Sequence, residues 1–106
     1  MKSGIELIAI ERAEQLEKHG RTVMGDYLEN SSLEKPLTKA ASALTVELNH
    51  GLAKECMRPM EWSQEIWDKM MNKPYKDRLI IAGALIAAEI DRLQFAESLE
   101  IGNGAN

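Results

Sequence analysis

The sequence predicts an all-α protein, a helical bundle of three main helices plus one short helix that assembles as an oligomer. Three observations carry this expectation. Apolar residues recur every three or four positions in several separate segments, the period of a helix face. Alanine, leucine, isoleucine and methionine are plentiful, whereas aromatics make up only 5 % of the 106 residues, which favours helices over strands. Glycine and proline fall between the periodic segments, where helices stop and start.

The first helix is expected from Gly4 to His19, ended by Gly20. Ser3 followed by Glu6 has the spacing of a capping box. Ile5, Ile8, Ala9 and Leu16 form its apolar stripe, Arg12 lies on that stripe, and Gln15 is at its edge. Glu6, Glu14 and Glu17 are expected to face water. From Arg21 to Pro36 the period is lost, apart from a turn of helix around Asp26–Glu29; a connection of this length is often functional.

The second helix is expected from Leu37 to Ala53, with Leu37, Ala40, Ala41, Leu44, Leu48 and Leu52 inward and Glu47 at the edge. A short helix follows from Glu61 to Met71, with Trp62, Ile66 and Met70 on one side. Pro74 then starts the longest apolar run, which reaches Phe95. On a helical projection, Leu79, Ala82, Gly83, Leu85, Ile86, Ile90 and Leu93 share its inner face. Gly83 suggests close approach of another helix. Glu89 falls inside the same face, and a carboxylate there needs a partner, a metal or a proton. Residues 1–96 are read as one domain and 97–106 as a flexible tail.

Composition narrows the function classes. A net charge of −4 and the lack of a Lys/Arg cluster argue against a nucleic-acid partner. A single cysteine, Cys56, excludes an internal disulfide and a multi-cysteine zinc site. The apolar run from Leu79 to Ile90 is shorter than the roughly 20 residues of a membrane span. The N-terminus does not read as a signal peptide, since Glu6 and Glu11 interrupt its apolar stretch, so a cytoplasmic location is expected.

Arg12, Gln15 and Glu89 are the first candidate site. If their helices meet, Arg12 and Glu89 can form a buried ion pair that sets helix register. Alternatively, the three line a polar pocket for an anionic or nucleotide-like ligand. Carboxylates are the second candidate, because magnesium takes hard oxygen ligands: Glu11 and Glu14 at i, i+3, with Asp26, Glu47, Glu89 and Asp91 elsewhere in the chain. Glu47 and His50 have a Glu-x-x-His spacing, but a di-metal bundle needs two such motifs and the chain has one. Cys56 reads as inert, and the Met57–Met71 cluster of methionines and tryptophans as packing or a subunit contact.

In order along the chain stand Glu11-Arg12-x-x-Gln15-x-x-Lys18-His19-Gly20, Asp26, Ala40-Ala41, Trp62, Trp67, Lys73-Pro74, and Ala82-Gly83-Ala84-Leu85-Ile86 followed by Ala88-Glu89-Ile90 and Arg92-Leu93. This pattern, covering most of the chain, resembles a family of short all-α proteins from phages and prophages. More loosely the chain is similar to the MazG-like nucleoside triphosphate pyrophosphohydrolases. Those are oligomeric helical proteins whose carboxylates hold magnesium for hydrolysis to the monophosphate and pyrophosphate. Their usual pattern is Glu-x-x-Glu on one helix and Glu-x-x-Asp on a later one. This sequence departs from it: Glu11-x-x-Glu14 lies on the first helix with its carboxylates turned from the apolar stripe, and the later element is Glu89-Ile-Asp91, with Arg92 at the position three after Glu89. The resemblance implies a metal-dependent nucleotide-handling protein, with Glu11, Glu47 and Glu89 toward Mg2+ and Arg12 toward phosphate. A non-catalytic nucleotide binder and a purely structural or interaction module stay open beside it.

Overall fold

The computed structural model describes residues 1–17, 35–46, 55–59 and 62–104, the last four as backbone. Among them are four helices and no strand: α1 Gly4–Glu17, α2 Pro36–Leu44, α3 Gln64–Met71 and α4 Tyr75–Gly104. The all-α class is thus observed, with proportions different from those expected. The loop from Arg21, the turn at Asp26–Glu29, His19, Gly20, Glu47, Leu48, His50 and Leu52 lie outside the described residues. No described helix is long and apolar enough to cross a membrane.

The capping box forms as expected. The Glu6 amide donates to Ser3 Oγ at 3.2 Å, and the Ser3 amide donates to Glu6 Oε1 at 3.4 Å. The face that α1 buries differs from the expected stripe. Ile5, Ala9 and Leu16 are exposed, and the buried side chains are Arg12 and Gln15. The cause is the contact with α4. A Cβ at Gly83 would lie 2.5 Å from Ile8 Cδ1, so Ile8 sits directly on the α4 backbone. With that contact fixed, the residues one and two turns after Ile8 point along α4.

Helix α2 starts at Pro36, a residue suited to the first turn, and ends at Leu44, earlier than the expected Ala53. Thr45 turns its hydroxyl back to the Ser42 carbonyl (2.8 Å), and Arg78 of α4 takes the end of the helix. Its Nη1 donates to the carbonyls of Leu44 at 3.3 Å and Val46 at 2.5 Å. These carbonyls have no partner within the helix, and a cation is the favoured group to satisfy them.

Helix α3 is capped by Ser63, whose Oγ accepts from the Ile66 amide at 3.4 Å. Its buried side chains are Trp67 and Met71, close to the expected Trp62–Ile66–Met70 line; Trp62 and Met70 pack against the core partly buried, while Ile66 is exposed. Trp62 packs edge-on to Trp67, ring centres 6.4 Å apart.

Helix α4 is the axis of the molecule and packs against both α1 and α2, while α3 packs on α2. It continues without interruption through the segment read as a tail, to Gly104. Its buried face consists of Arg78, Ile81, Ala82, Ala84, Leu85, Ala88, Glu89 and Arg92. Of the expected inner residues, Leu79, Ile86, Ile90 and Leu93 are instead exposed, so the core face is turned by about one residue step, roughly 100°. Small side chains explain the turn. Ala88 stands with Ala40 and Ala41 of α2 in the core, where small side chains allow the helices to approach closely, and Ala84 is buried as well. Leu37, Leu44, Leu85 and Trp67 fill the remaining space.

Candidate functional site

Two charged pairs involve α4, one joining it to α1 and one made within the helix itself. Arg12 Nη2 donates to Asp91 Oδ2 at 3.1 Å, with the arginine buried and the aspartate half-exposed. Arg92 donates to Glu89 through two nitrogens, Nε to Oε1 at 2.5 Å and Nη2 to Oε2 at 3.0 Å, and both side chains are buried. The second pair spans one helical turn, the spacing at which residues i and i+3 share a face. A two-point guanidinium–carboxylate contact is among the strongest side-chain arrangements.

The expected direct pairing of Arg12 with Glu89 is therefore not the arrangement found among the described residues. Each finds a nearer partner on α4: Asp91 for Arg12, Arg92 for Glu89. Gln15, one turn on from Arg12, is buried, and its Oε1 accepts no hydrogen bond among the described residues. Glu47 lies outside the described residues.

Glu11 and Glu14 occupy a different place from the one the apolar stripe suggested. Both are half-buried. With Leu7 and Ile10 they line one wall of a solvent-open cleft of about 290 Å3, and Lys73, Asp77, Ile80 and Ile81 line the other. Glu14, expected in water, is thus part of a cleft wall. The cleft joins three carboxylates, one ammonium group and four aliphatic side chains. Lys73 and Asp77 carry no recognisable motif, and only the packing of α1 on α4 brings them opposite the Glu11–Glu14 pair.

Of the expected magnesium set of Glu11, Glu47 and Glu89, Glu47 lies outside the described residues and Glu11 lines the cleft. Both oxygens of Glu89 accept from Arg92. Among the described residues no three His, Cys, Asp or Glu side chains are grouped closely enough to hold a metal ion. Glu11 and Glu14 remain as a pair of hard oxygen donors, the number magnesium commonly takes from protein when phosphate and water complete its shell.

A further polar cluster surrounds Glu55. Arg58 Nε donates to its Oε1 at 2.7 Å and Gln64 Nε2 to its Oε2 at 3.0 Å, while Arg58 Nη1 donates to the Trp62 carbonyl. The hydrogen bond from Gln64, followed by that from Arg58, holds the Glu55 carboxyl below its ordinary value of 4.5. This cluster ties the 55–59 turn to α3; Cys56 beside it is exposed and free.

Compared with protein-family models, curated proteins and solved structures, the chain finds no match in any of the three.

Proposed function

We propose that the chain is a phage- or prophage-type, cytoplasmic, oligomeric protein that handles nucleotides in the MazG-like manner, with the α1–α4 cleft as its ligand site. One observation supports this reading above the rest: Glu11 and Glu14, the residues of the Glu-x-x-Glu resemblance, border the same cleft as Lys73. Lys73 supplies a point charge for phosphate, and Leu7, Ile10 and Ile80 supply an apolar wall for a base. Three carboxylates against one lysine repel a bare triphosphate, so the nucleotide enters as its divalent-cation complex. Glu11 and Glu14 are the oxygen donors that meet that complex; Glu89 is reserved for Arg92. Magnesium, when bound, neutralises phosphate charge and activates water toward a phosphoanhydride.

A second reading is favoured by a different observation. The pairs Arg12–Asp91 and Arg92–Glu89 hold charges to each other without a ligand. A structural module in which Arg12–Asp91 sets the register of α1 on α4, and Arg92–Glu89 neutralises the buried charges of α4, accounts for them equally well. The two readings separate in one experiment. The protein is incubated with a panel of nucleoside triphosphates and magnesium, with pyrophosphate release and calorimetric binding both measured, and Glu11→Gln and Glu14→Gln are run alongside. Turnover lost in both variants supports the enzymatic form. Binding without turnover, weakened in the variants, supports a non-catalytic binder. Neither binding nor turnover in the wild type leaves the structural module.

A further inference from the structure

Helix α4 exposes a second apolar line that its own chain's core does not use. Leu79, Ile86, Ile90 and Leu93 are 39 %, 46 %, 51 % and 44 % exposed. Their separations of seven, four and three residues keep them on one side of the helix, as in a coiled-coil seam. The line is about 21 Å long at 1.5 Å per residue. Scattered exposed leucines need no explanation, whereas a contiguous row on one helix face does.

The charges beyond each end of the row select what covers it. Lys76 precedes it by one turn, and Glu97 and Glu100 follow it; all three are exposed. The first turn of α4 also carries Asp77, which suits the helix dipole, and the last turn has no basic residue. A partner helix lying antiparallel gives Lys76 and the two glutamates neighbours of opposite charge. Its Glu97 and Glu100 then lie alongside Lys76, and the same contact repeats at the other end by symmetry. A parallel partner would set Lys76 on Lys76 and glutamates on glutamates.

We infer that α4 pairs antiparallel with α4 of a second copy of this chain, about a twofold axis near Ile86–Ile90. Leu79, Ile86, Ile90 and Leu93 form the apolar seam, and Lys76 of each copy meets Glu97 and Glu100 of the other. The inference rests on the exposed row and its flanking charges and does not depend on the nucleotide reading.

The test is the mass of the full chain in solution, by sedimentation equilibrium across a concentration series. The wild type is expected as a dimer. Ile86→Asp places two charges at the axis and is expected to give a folded monomer, judged by unchanged helical circular dichroism. Ile66→Asp, an exposed apolar position on α3, is expected to leave the dimer intact. If Ile86→Asp fails to fold, charge reversal carries the test. Lys76→Glu alone, and Glu97→Lys with Glu100→Lys, are each expected to raise the dissociation constant about tenfold, since both symmetry-related contacts turn repulsive. The three reversals together are expected to restore it. A monomeric wild type overturns the inference, as does a dimer that survives a folded Ile86→Asp. Failure of the triple variant to recover overturns the antiparallel arrangement.

Discussion

Arg92 holds Glu89 by two hydrogen bonds across one turn of α4, with both side chains buried. The pair is made within a single helix, yet it lies on the face that α4 turns to the core. Its energetics are those of a buried ion pair. Desolvation takes back most of the attraction, while removal of one partner strands the other charge. Glu89→Ala is therefore expected to destabilise the protein by about 3–5 kcal/mol. The double change Glu89→Leu with Arg92→Met should recover most of that loss. Asp91→Asn removes the charge facing the buried Arg12 but keeps an oxygen acceptor, and should cost less, about 1–3 kcal/mol. Urea unfolding of the four proteins checks the ranking.

Gly83 gives a prediction whose sign reverses with its neighbour. In a helix interior, alanine gains about 1 kcal/mol over glycine. Here the added methyl would meet Ile8 at 2.5 Å, and such overpacking costs about 1–3 kcal/mol. Gly83→Ala is expected to be destabilising on balance. In an Ile8→Ala background the same change should become neutral or stabilising by up to about 1 kcal/mol. Thermal unfolding of the four-member cycle measures the coupling.

Arg78 ends α2 by donating to the carbonyls of Leu44, its last residue, and of Val46 just beyond it, and it also stands 5.4 Å over the Tyr75 ring. Arg78→Met keeps the apolar stem but leaves those carbonyls without the guanidinium. The expected cost is about 2–3 kcal/mol, the range for hydrogen bonds to a charged group. Amide exchange at the end of α2 should rise at the same time. Arg78→Lys should recover only part, because an ammonium group cannot reproduce the planar fork.

The Glu55 carboxyl supplies a pH prediction. Its folded value lies below the ordinary 4.5, so its charged form favours the fold at pH values above that figure. The contribution is lost as pH falls through the depressed folded value. A carboxyl NMR titration should place the Glu55 inflection below 4.5, and Gln64→Ala, which removes the largest cause, should move it upward.

How much of this was legible in advance varies element by element. The Ser3–Glu6 capping box was readable in full, because its two hydrogen bonds lie within four consecutive residues. Gly83 was readable as a point of close approach, though not that Ile8 would be the residue to make it. The inner face of α4 was misjudged because hydrophobicity alone ranks Ile86 and Ile90 above Ala84 and Ala88. A projection of one helix does not show that alanines were needed inside to admit α2. Glu89 was recognisable as a buried carboxylate, and its partner three residues on was in view, but a facing helix appeared the more natural source of an arginine.

The sequence by itself determined the all-helical class, the starts of α1 and α4, and the burial of Arg12, Gln15 and Glu89. Each of these follows from local spacing, where neighbours within a turn decide the energy. Tertiary structure alone decided that α1 and α4 turn their most apolar faces away from the core, which arginine meets which carboxylate, and that Lys73 and Asp77 stand opposite Glu11 and Glu14. Those outcomes depend on side-chain volume summed over two helices at once, a quantity that no single segment contains.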